Sequence, residues 1–250
     1  MVEKMVDKKV AIVTGAASGI GKAAALLLNR EGYHLVLADR QALDETLRLI
    51  VETGGTADTV VGDITDSETI ASILKTAGNR VDVLANIAGI LDAYFPADEV
   101  EDDLWELCFN VNVNAAFRLV RGVLPLMVKA KRGSIVNVAS VAGVSGNGGG
   151  AAYVSSKHAL VGLTRSVSMM YRSDGIRSNA VAPGPVLSGM TESFSIDSER
   201  ARSVMKDYFP TLPPTASPDD IAEAIVWLAS DKALNVNGAV LACDGGWSAM

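Results

Sequence analysis

From residue 9 onward the chain alternates between apolar runs of strand length and amphipathic stretches of helix length, and few folds accommodate that alternation. The strand candidates are Val10–Val13, Leu35–Ala38, Ala57–Val61, Val81–Ala85, Ser134–Ala139, Arg177–Val181 and Ala239–Ala242. Between them fall the helical patterns Lys22–Arg30, Leu43–Thr53, Thr69–Ala77, Asp102–Lys129, Ala152–Tyr171 and Pro218–Ala229. Runs of Val, Ile, Leu and Ala without polar alternation belong to strands buried on both faces, which implies a parallel sheet. Helical crossovers of this length predict an α/β, doubly wound parallel sheet of about seven strands with helices on both faces.

A chain of 250 residues suits one large domain or two small ones. No linker, composition break or repeat divides it, so residues 1–250 are expected to form one domain. Two segments depart from the alternation. Gly146–Gly150 is short, flexible and poor in side-chain bulk, which suggests a roomy pocket beside it. Residues 183–217 carry five prolines and mixed polar and aromatic content. A loop of that length after a strand's C-terminal end suggests a substrate-binding lid within the domain.

The net charge of −7 argues against nucleic acid or an anionic membrane as partner. Cys108 and Cys243 lie in apolar contexts without metal-ligand spacing, consistent with free thiols in a reducing compartment. The two histidines, His34 and His158, are too few and too separated for a metal site. The N-terminus is polar and no apolar run reaches membrane-spanning length, so a cytoplasmic location is expected.

The first strand runs into Thr14-Gly15-Ala16-Ala17-Ser18-Gly19-Ile20-Gly21 and then a helix. Glycines there permit a sharp turn and bring backbone N–H groups to a pyrophosphate at the positive helix end, as in Rossmann-like sheets. The spacing Gly-x-x-x-Gly-x-Gly differs from the commoner fingerprint, and other nucleotide sites use similar turns. Asp39 closes the second strand 18 residues after Gly21, where a carboxylate would bind the adenosine ribose and repel a 2′-phosphate. NAD is therefore expected over NADP, although Arg40 could swing toward such a phosphate or lie along adenine. Asp63, followed by Ile64, could contact adenine or cap a helix. Asn86-Ile87-Ala88-Gly89 ends the fourth strand with small residues that would let a cofactor pass close to the backbone.

Tyr153 and Lys157 stand four apart in a helical stretch, with Ser140 thirteen residues before the tyrosine. Residues four apart share a helix face, so the Lys157 ammonium can sit beside the Tyr153 phenol and stabilise its phenolate. A hydroxyl at Ser140 could hold a substrate oxygen at the same place. Such a set transfers a proton to or from an alcohol or carbonyl oxygen.

Taken together, these residues resemble the short-chain dehydrogenase/reductase family from Lys9 to about Trp247. The elements that carry the resemblance are the Thr14–Gly21 loop, Asp63, Asn86-x-Ala88-Gly89, Asn112, Ser140, Tyr153-x-x-x-Lys157 and Pro183-Gly184. The resemblance implies that Tyr153 is the general acid/base and that Lys157 lowers its pKa and binds the nicotinamide ribose. It implies that Ser140 orients the substrate oxygen and that Asn112 holds a water linking Lys157 to solvent. Asn110 and Asn114 flank Asn112, and the family's asparagine falls seven residues after the aromatic position at Trp105. Cofactor contacts are expected at Gly15, Ser18, Gly19, Ile20, Gly21, Asp39, Arg40, Asp63, Ile64, Asn86, Ala88, Gly89, Tyr153, Lys157, Pro183, Gly184, Val186 and Ser188. Three positions depart from the family pattern: Ile87 for asparagine, Ala139 for serine, and Ser188 for the threonine that binds the carboxamide.

The expected reaction is hydride transfer between NAD(H) and a secondary alcohol or ketone, with no metal. Leu187, Met190, Phe194, Met205, Tyr208 and Phe209 would supply an apolar lid wall, favouring an apolar small-molecule substrate. Reduction of 3-oxoacyl thioesters on an acyl carrier protein is the alternative, with Lys129, Lys131, Arg132 and Arg172 as a basic patch. A dinucleotide-binding protein without catalysis is a third. The resemblance also favours a homotetramer, with Asp102–Lys129, Ala152–Tyr171 and the strand and tail around Val240–Met250 as contact faces.

Overall fold

The computed structural model describes residues 8–189 and 195–249. Seven strands form one parallel sheet in the order β3-β2-β1-β4-β5-β6-β7. They are β1 (Val10–Thr14), β2 (His34–Asp39), β3 (Thr56–Val61), β4 (Val83–Asn86), β5 (Gly133–Val138), β6 (Ile176–Pro183) and β7 (Val240–Cys243). The helices are α1 (Gly19–Arg30), α2 (Asp44–Glu52), α3 (Ser67–Ala77), α4 (Asp102–Phe109), α5 (Ala116–Ala130), α6 (Ala151–Tyr171), α7 (Glu199–Tyr208) and α8 (Pro218–Ala229). The result is the Rossmann-like, doubly wound sheet that the alternating pattern predicts.

Along β1 the side chains divide by period two, and both sets are buried. Ala11 and Val13 join Leu35, Leu37, Val83 and Ala85 beneath Leu28 of α1 and Ile221, Ile225 and Leu228 of α8. Val10 and Ile12 join Val36, Leu84 and Ile135 on the opposite face, under Ile70 and Ile73 of α3 and Leu119, Val123 and Met127 of α5. The edge strands β3 and β7 break the rule of full burial, and the Thr and Asp residues of β3 face outward accordingly.

Two differences from the sequence expectation bear on function. The predicted helix Asp102–Lys129 is interrupted at Asn110–Ala115 by a turn of π-helix, a distortion that recurs at functional sites. Inside the expected irregular lid, Glu199–Tyr208 forms a helix whose N-cap Ser198 accepts the Ala201 amide through Oγ at 3.0 Å. The helical stretch Asp102–Ala130 is long and apolar enough, by length and composition, to cross a membrane. Leu119, Val120, Val123 and Met127 are instead packed against the sheet, as in a core helix.

The chain leaves β1 in one direction to build β2 and β3 and returns to its other side for β4 to β7. That reversal opens a crevice at the C-terminal ends of β1 and β4, where sheets of this kind bind ligands.

Candidate active site

The crevice begins where β1 ends. The Thr14 hydroxyl accepts the amides of Ile87 (3.0 Å) and Ala88 (3.2 Å), pinning the tips of β1 and β4 together. Gly15 turns the chain with φ 70°, and a Cβ there would lie 3.1 Å from the Ala88 backbone. Gly21 has no space for a side chain because the Gly15 carbonyl lies against it. The first N–H groups of α1 are thereby left at the mouth of the crevice, at the positive end of the helix.

A cavity of about 770 Å³ extends from this loop across the sheet ends. Its floor and cofactor-side wall include Gly15, Ser18, Gly19, Ile20 and Gly21, then Asp39, Arg40, Asp63 and Ile64, and then Ala88 and Gly89. Pro183, Gly184, Val186 and Ser188 close it from the start of the lid segment. Ser140, Tyr153 and Lys157 open onto the same space. The Asp39 carboxylate accepts the amides of Ala17 and Gln41, both at 2.9 Å, which fixes it at the outer end of the cavity. Asp63 accepts the Thr65 amide at 2.7 Å, and that bond holds its carboxyl below the usual carboxylate range.

Two predicted residues do not reach the cavity wall. Asn86 is buried within the sheet, where its amide donates to Asn137 Oδ1 at 2.8 Å. Its side chain lies in the sheet interior and points across to Asn137, its register partner on β5. Its Oδ1 atom has no hydrogen-bond partner, one of two such buried side-chain atoms among the described residues. Asn112 lies behind the cavity in the π turn. Its Oδ1 accepts the Ile90 amide at 2.9 Å, and its Nδ2 donates to Ile90 O at 3.1 Å and Ser156 Oγ at 3.0 Å. A Cβ on Gly89 would lie 3.1 Å from Asn112 Oδ1 and 3.3 Å from Lys157 Nζ, so these two side chains converge on that glycine. Asn110 and Asn114 bond to each other at 2.8 Å instead.

On α6, Tyr153 and Lys157 share the inward face as the spacing predicts, both nearly inaccessible. Lys157 Nζ lies 5.5 Å from the centre of the Tyr153 ring and donates to Val138 O at 2.9 Å. Burial pushes the Tyr153 phenol up to about 12 and the Lys157 ammonium down to about 8. Desolvation is the largest cause for the tyrosine, and the influence opposing it is a hydrogen bond with Ser140. At neutral pH this phenol carries its proton.

Several cavity residues escaped the sequence analysis. Ile90, Leu91 and Tyr94 come from the loop after β4, and Leu212 and Trp247 from the lid and the C-terminal tail. Nothing in their spacing marked them, since none stands at a strand end or in a short motif. Of the expected lid wall, Met205 and Phe209 line the cavity, whereas Leu187 and Tyr208 are exposed away from it. Met190 and Phe194 lie outside the described residues. In the segment 146–150, Gly148 lines the cavity and Gly146 has open space around it, whereas Gly149 and Gly150 serve close packing. A Cβ at Gly150 would overlap the Phe95 backbone, and one at Gly149 would overlap the Tyr153 ring.

Comparison with known proteins bears on this arrangement. A family profile described as enoyl-(acyl carrier protein) reductase matches residues 15–248. A short-chain dehydrogenase/reductase of Talaromyces verruculosus is 38% identical over 251 residues, covering 96% of both chains. The chain belongs to the short-chain dehydrogenase/reductase family. A 3-oxoacyl-[acyl-carrier-protein] reductase of Thermotoga maritima is 37% identical over 246 residues, covering 96% of this chain and 98% of its own. A solved structure from Beutenbergia cavernae, described as an NAD(P)-dependent gluconate 5-dehydrogenase with bound NADP, is 39% identical with a TM-score of 0.85 and 98% coverage of both chains. Membership makes this protein an oxidoreductase working with a nicotinamide dinucleotide. The cavity fits such a group: close backbone approach at Gly15 and Gly89, helix N–H groups and a fixed carboxylate are the features a dinucleotide requires.

Proposed function

We propose that this protein is an NAD(H)-dependent oxidoreductase that interconverts an uncharged, largely apolar secondary alcohol and its ketone. The observation that carries this reading is the opening of Ser140, Tyr153 and Lys157 onto the same cavity as the glycine loop and Asp39. Residues 1–250 act as one dinucleotide-binding and catalytic unit, and residues 183–217 serve as its lid. The bound nicotinamide supplies the hydride in reduction and takes it back in oxidation. Tyr153, protonated at neutral pH, gives its proton to the carbonyl oxygen as the hydride arrives, and receives one from the alcohol in reverse. Ser140 orients that oxygen by hydrogen bonding. Lys157 binds the nicotinamide ribose, and Asn112, converging on Gly89 with Lys157, sits where a proton path to solvent would leave the site.

Asp39 supports NAD over NADP, because a 2′-phosphate placed on a fixed carboxylate would be repelled. The charged side chains lining the cavity, among the described residues, are Asp39, Arg40, Asp63 and Lys157. All four belong to the dinucleotide or proton-transfer side, so the substrate side offers no cation to a carboxylate. Exposed Trp105, Leu107 and Phe117 on α4 and α5, with Met169 and Met170 on α6, support assembly into a homotetramer. Free cysteines suit a cytoplasmic setting.

Reduction of a carrier-bound 3-oxoacyl thioester is the second reading, favoured by the profile description and the Thermotoga relative. Against it, Lys131 and Arg132 are engaged by Asp174 and Asp231. With Arg172 they border a separate cavity of about 370 Å³ at the N-terminal ends of the strands, away from Tyr153. Turnover of NADH and NADPH with a ketone panel and an acyl-thioester analogue separates the two. Tyr153→Phe should lower turnover by roughly 10²- to 10⁴-fold with NADH binding near normal. Retained activity in that variant overturns the assignment.

A further inference from the structure

The loop after β4 contains two adjacent non-glycine residues with left-handed backbone, Ala93 (φ 52°) and Tyr94 (φ 61°). For a side chain as large as tyrosine this conformation is costly and persists only where the surroundings impose it. Asp92 imposes it. Its carboxylate is fully buried and accepts three backbone amides: Tyr94 (3.2 Å) and Gly150 (2.8 Å) through Oδ1, and Tyr153 (2.9 Å) through Oδ2. Gly150 is the N-cap of α6 and has no side chain with which to cap it. Asp92, 61 residues before Tyr153, supplies that cap from another loop. The Ala151 amide completes the joint by donating to Phe95 O at 2.9 Å.

A neutral serine or asparagine caps a helix about as well, and a buried charge costs more to desolvate. Among the described residues no lysine, arginine or histidine forms an ion pair with Asp92. The charge rests on amides and on the positive end of α6. Its neighbours explain why a charge is there. The groups facing the Tyr153 phenol are Asp92 and Tyr94 from this loop, Cys108 from α4, Ser140 after β5 and Lys157 on α6. Tyr94 and Cys108 are pushed up to about 12 by burial and are neutral in the working range. Asp92 therefore adds a negative charge near the phenol, and Lys157 Nζ lies 5.5 Å from the centre of its ring.

We propose that Asp92 is a positioning residue of the active site: it locks the first turn of α6, and with it Tyr153, against the loop that carries Tyr94 into the cavity, and it brings a carboxylate to the acid/base residue. The inference rests on Tyr153 being the acid/base. Asp92→Asn keeps the outline but removes the charge and one of the two acceptors, since an amide nitrogen cannot accept an N–H, whereas Asp92→Glu keeps the charge and lengthens the clamp by one methylene. The measurement is kcat/KM for alcohol oxidation from neutral pH up to about pH 12, a range that reaches the phenol's own titration, with NADH affinity by fluorescence titration. In Asp92→Asn the inflection should move to lower pH. In Asp92→Glu the inflection should stay and kcat should fall about 10- to 100-fold, with NADH affinity within about twofold of wild type in both. A clamp without electrostatic effect leaves the Asp92→Asn inflection unmoved, and that result overturns the proposal. A kcat within about twofold of wild type in Asp92→Glu overturns it too. If Asp92→Asn does not fold, Asp92→Ser provides the neutral cap. Phenolate absorbance, compared with and without Tyr153→Phe, should show the proton leaving Tyr153 at lower pH in the neutral variant. That titration needs no turnover, so it tests Asp92 even if Tyr153→Phe proves active.

Discussion

The wall that carries Tyr153 and the wall that carries Met205 and Phe209 face each other across one cavity, and they are held in different ways. On the first, each polar group has a defined partner: Tyr153 N on Asp92, Lys157 Nζ on Val138 O, and Asn112 on Ile90 and Ser156. These groups are nearly all buried, and they hang from strand ends and the long helix α6. The second wall is tied at its margins. Among the described residues, a parallel bridge joins Val186 to Ala216, Trp247 Nε1 donates to Thr211 Oγ1 at 3.2 Å, and Ser198 caps α7. Val204, Tyr208, Phe209 and Leu212 remain exposed. Chemistry needs atoms fixed to within fractions of an ångström, whereas selection of an apolar substrate needs only shape and area. The lid can therefore change its side chains without disturbing proton transfer.

Lys157→Met is the strongest way to break that contrast. It should lower kcat/KM by roughly 10²- to 10⁴-fold, far more than any single lid change. It also has a signature in stability. Lys157 titrates near 8 when folded and near 10.5 when unfolded. Between those values the unfolded chain binds more protons, so this lysine makes stability rise with pH. Below pH 8 both states are charged and the full desolvation penalty is present. Other groups titrate in the same window, Cys108 among them, so the quantity to measure is the wild type minus Lys157→Met difference. That difference in unfolding free energy should grow by up to about 3 kcal/mol from pH 8 to 10.5 in chemical denaturation. A flat difference would mean that the ammonium is solvated and the wall is not closed around it.

The same contrast decides what could be read from the sequence. Gly15, Asp39, Ser140, Tyr153 and Lys157 sit at strand ends or four apart on a helix, where local geometry dictates position. The inner strands were legible because largely apolar runs report burial on both faces, whereas the edge strands β3 and β7 were legible without it. The side-chain pairing of Asn86 was hidden because sequence order could not show that the last side chain of β4 turns inward to Asn137. Asp92 went unnoticed because its partners, Gly150 and Tyr153, are some 60 residues away. The π turn at Asn110–Ala115 keeps helical hydrophobic spacing and leaves no compositional mark. Within the lid, Met205 and Phe209 were legible as apolar, but which apolar residues turn inward depends on α7, a helix hidden in a proline-bearing segment.

Met205→Ala sharpens the comparison from the other side. Met205 is buried and lines the cavity, so truncation removes apolar contact without touching a polar bond of the chemical wall. For a bulky apolar ketone, KM should rise roughly tenfold while kcat stays within about twofold. A small ketone that does not reach the lid should show no change. Steady-state kinetics on a size-graded series checks this. Equal loss of kcat for large and small substrates would mean that the lid also orders the reacting atoms, and the division between the walls would fail.

The smallest expected effect tests where the lid ends. Ser217 caps α8 in a reciprocal box: the Asp220 amide donates to Ser217 Oγ at 3.3 Å, and the Ser217 amide donates to Asp220 Oδ2 at 2.8 Å. Pro218 at the first helical position and the buried face of Ile221, Ile225 and Leu228 make this helix part of the core. Ser217→Ala should cost about 1 kcal/mol, or roughly 2–4 °C in melting temperature for a chain of this size. Because the cap belongs to the core and the lid only hangs from it, kcat and KM should remain within about twofold of wild type. The Ser217 bonds also hold the Asp220 carboxyl below its usual range, so their contribution is present at neutral pH and fades as acid protonates that group. A fall in activity without a fall in melting temperature would place the lid's hinge on the cap itself, making the loosely tied wall a coupled part of the site.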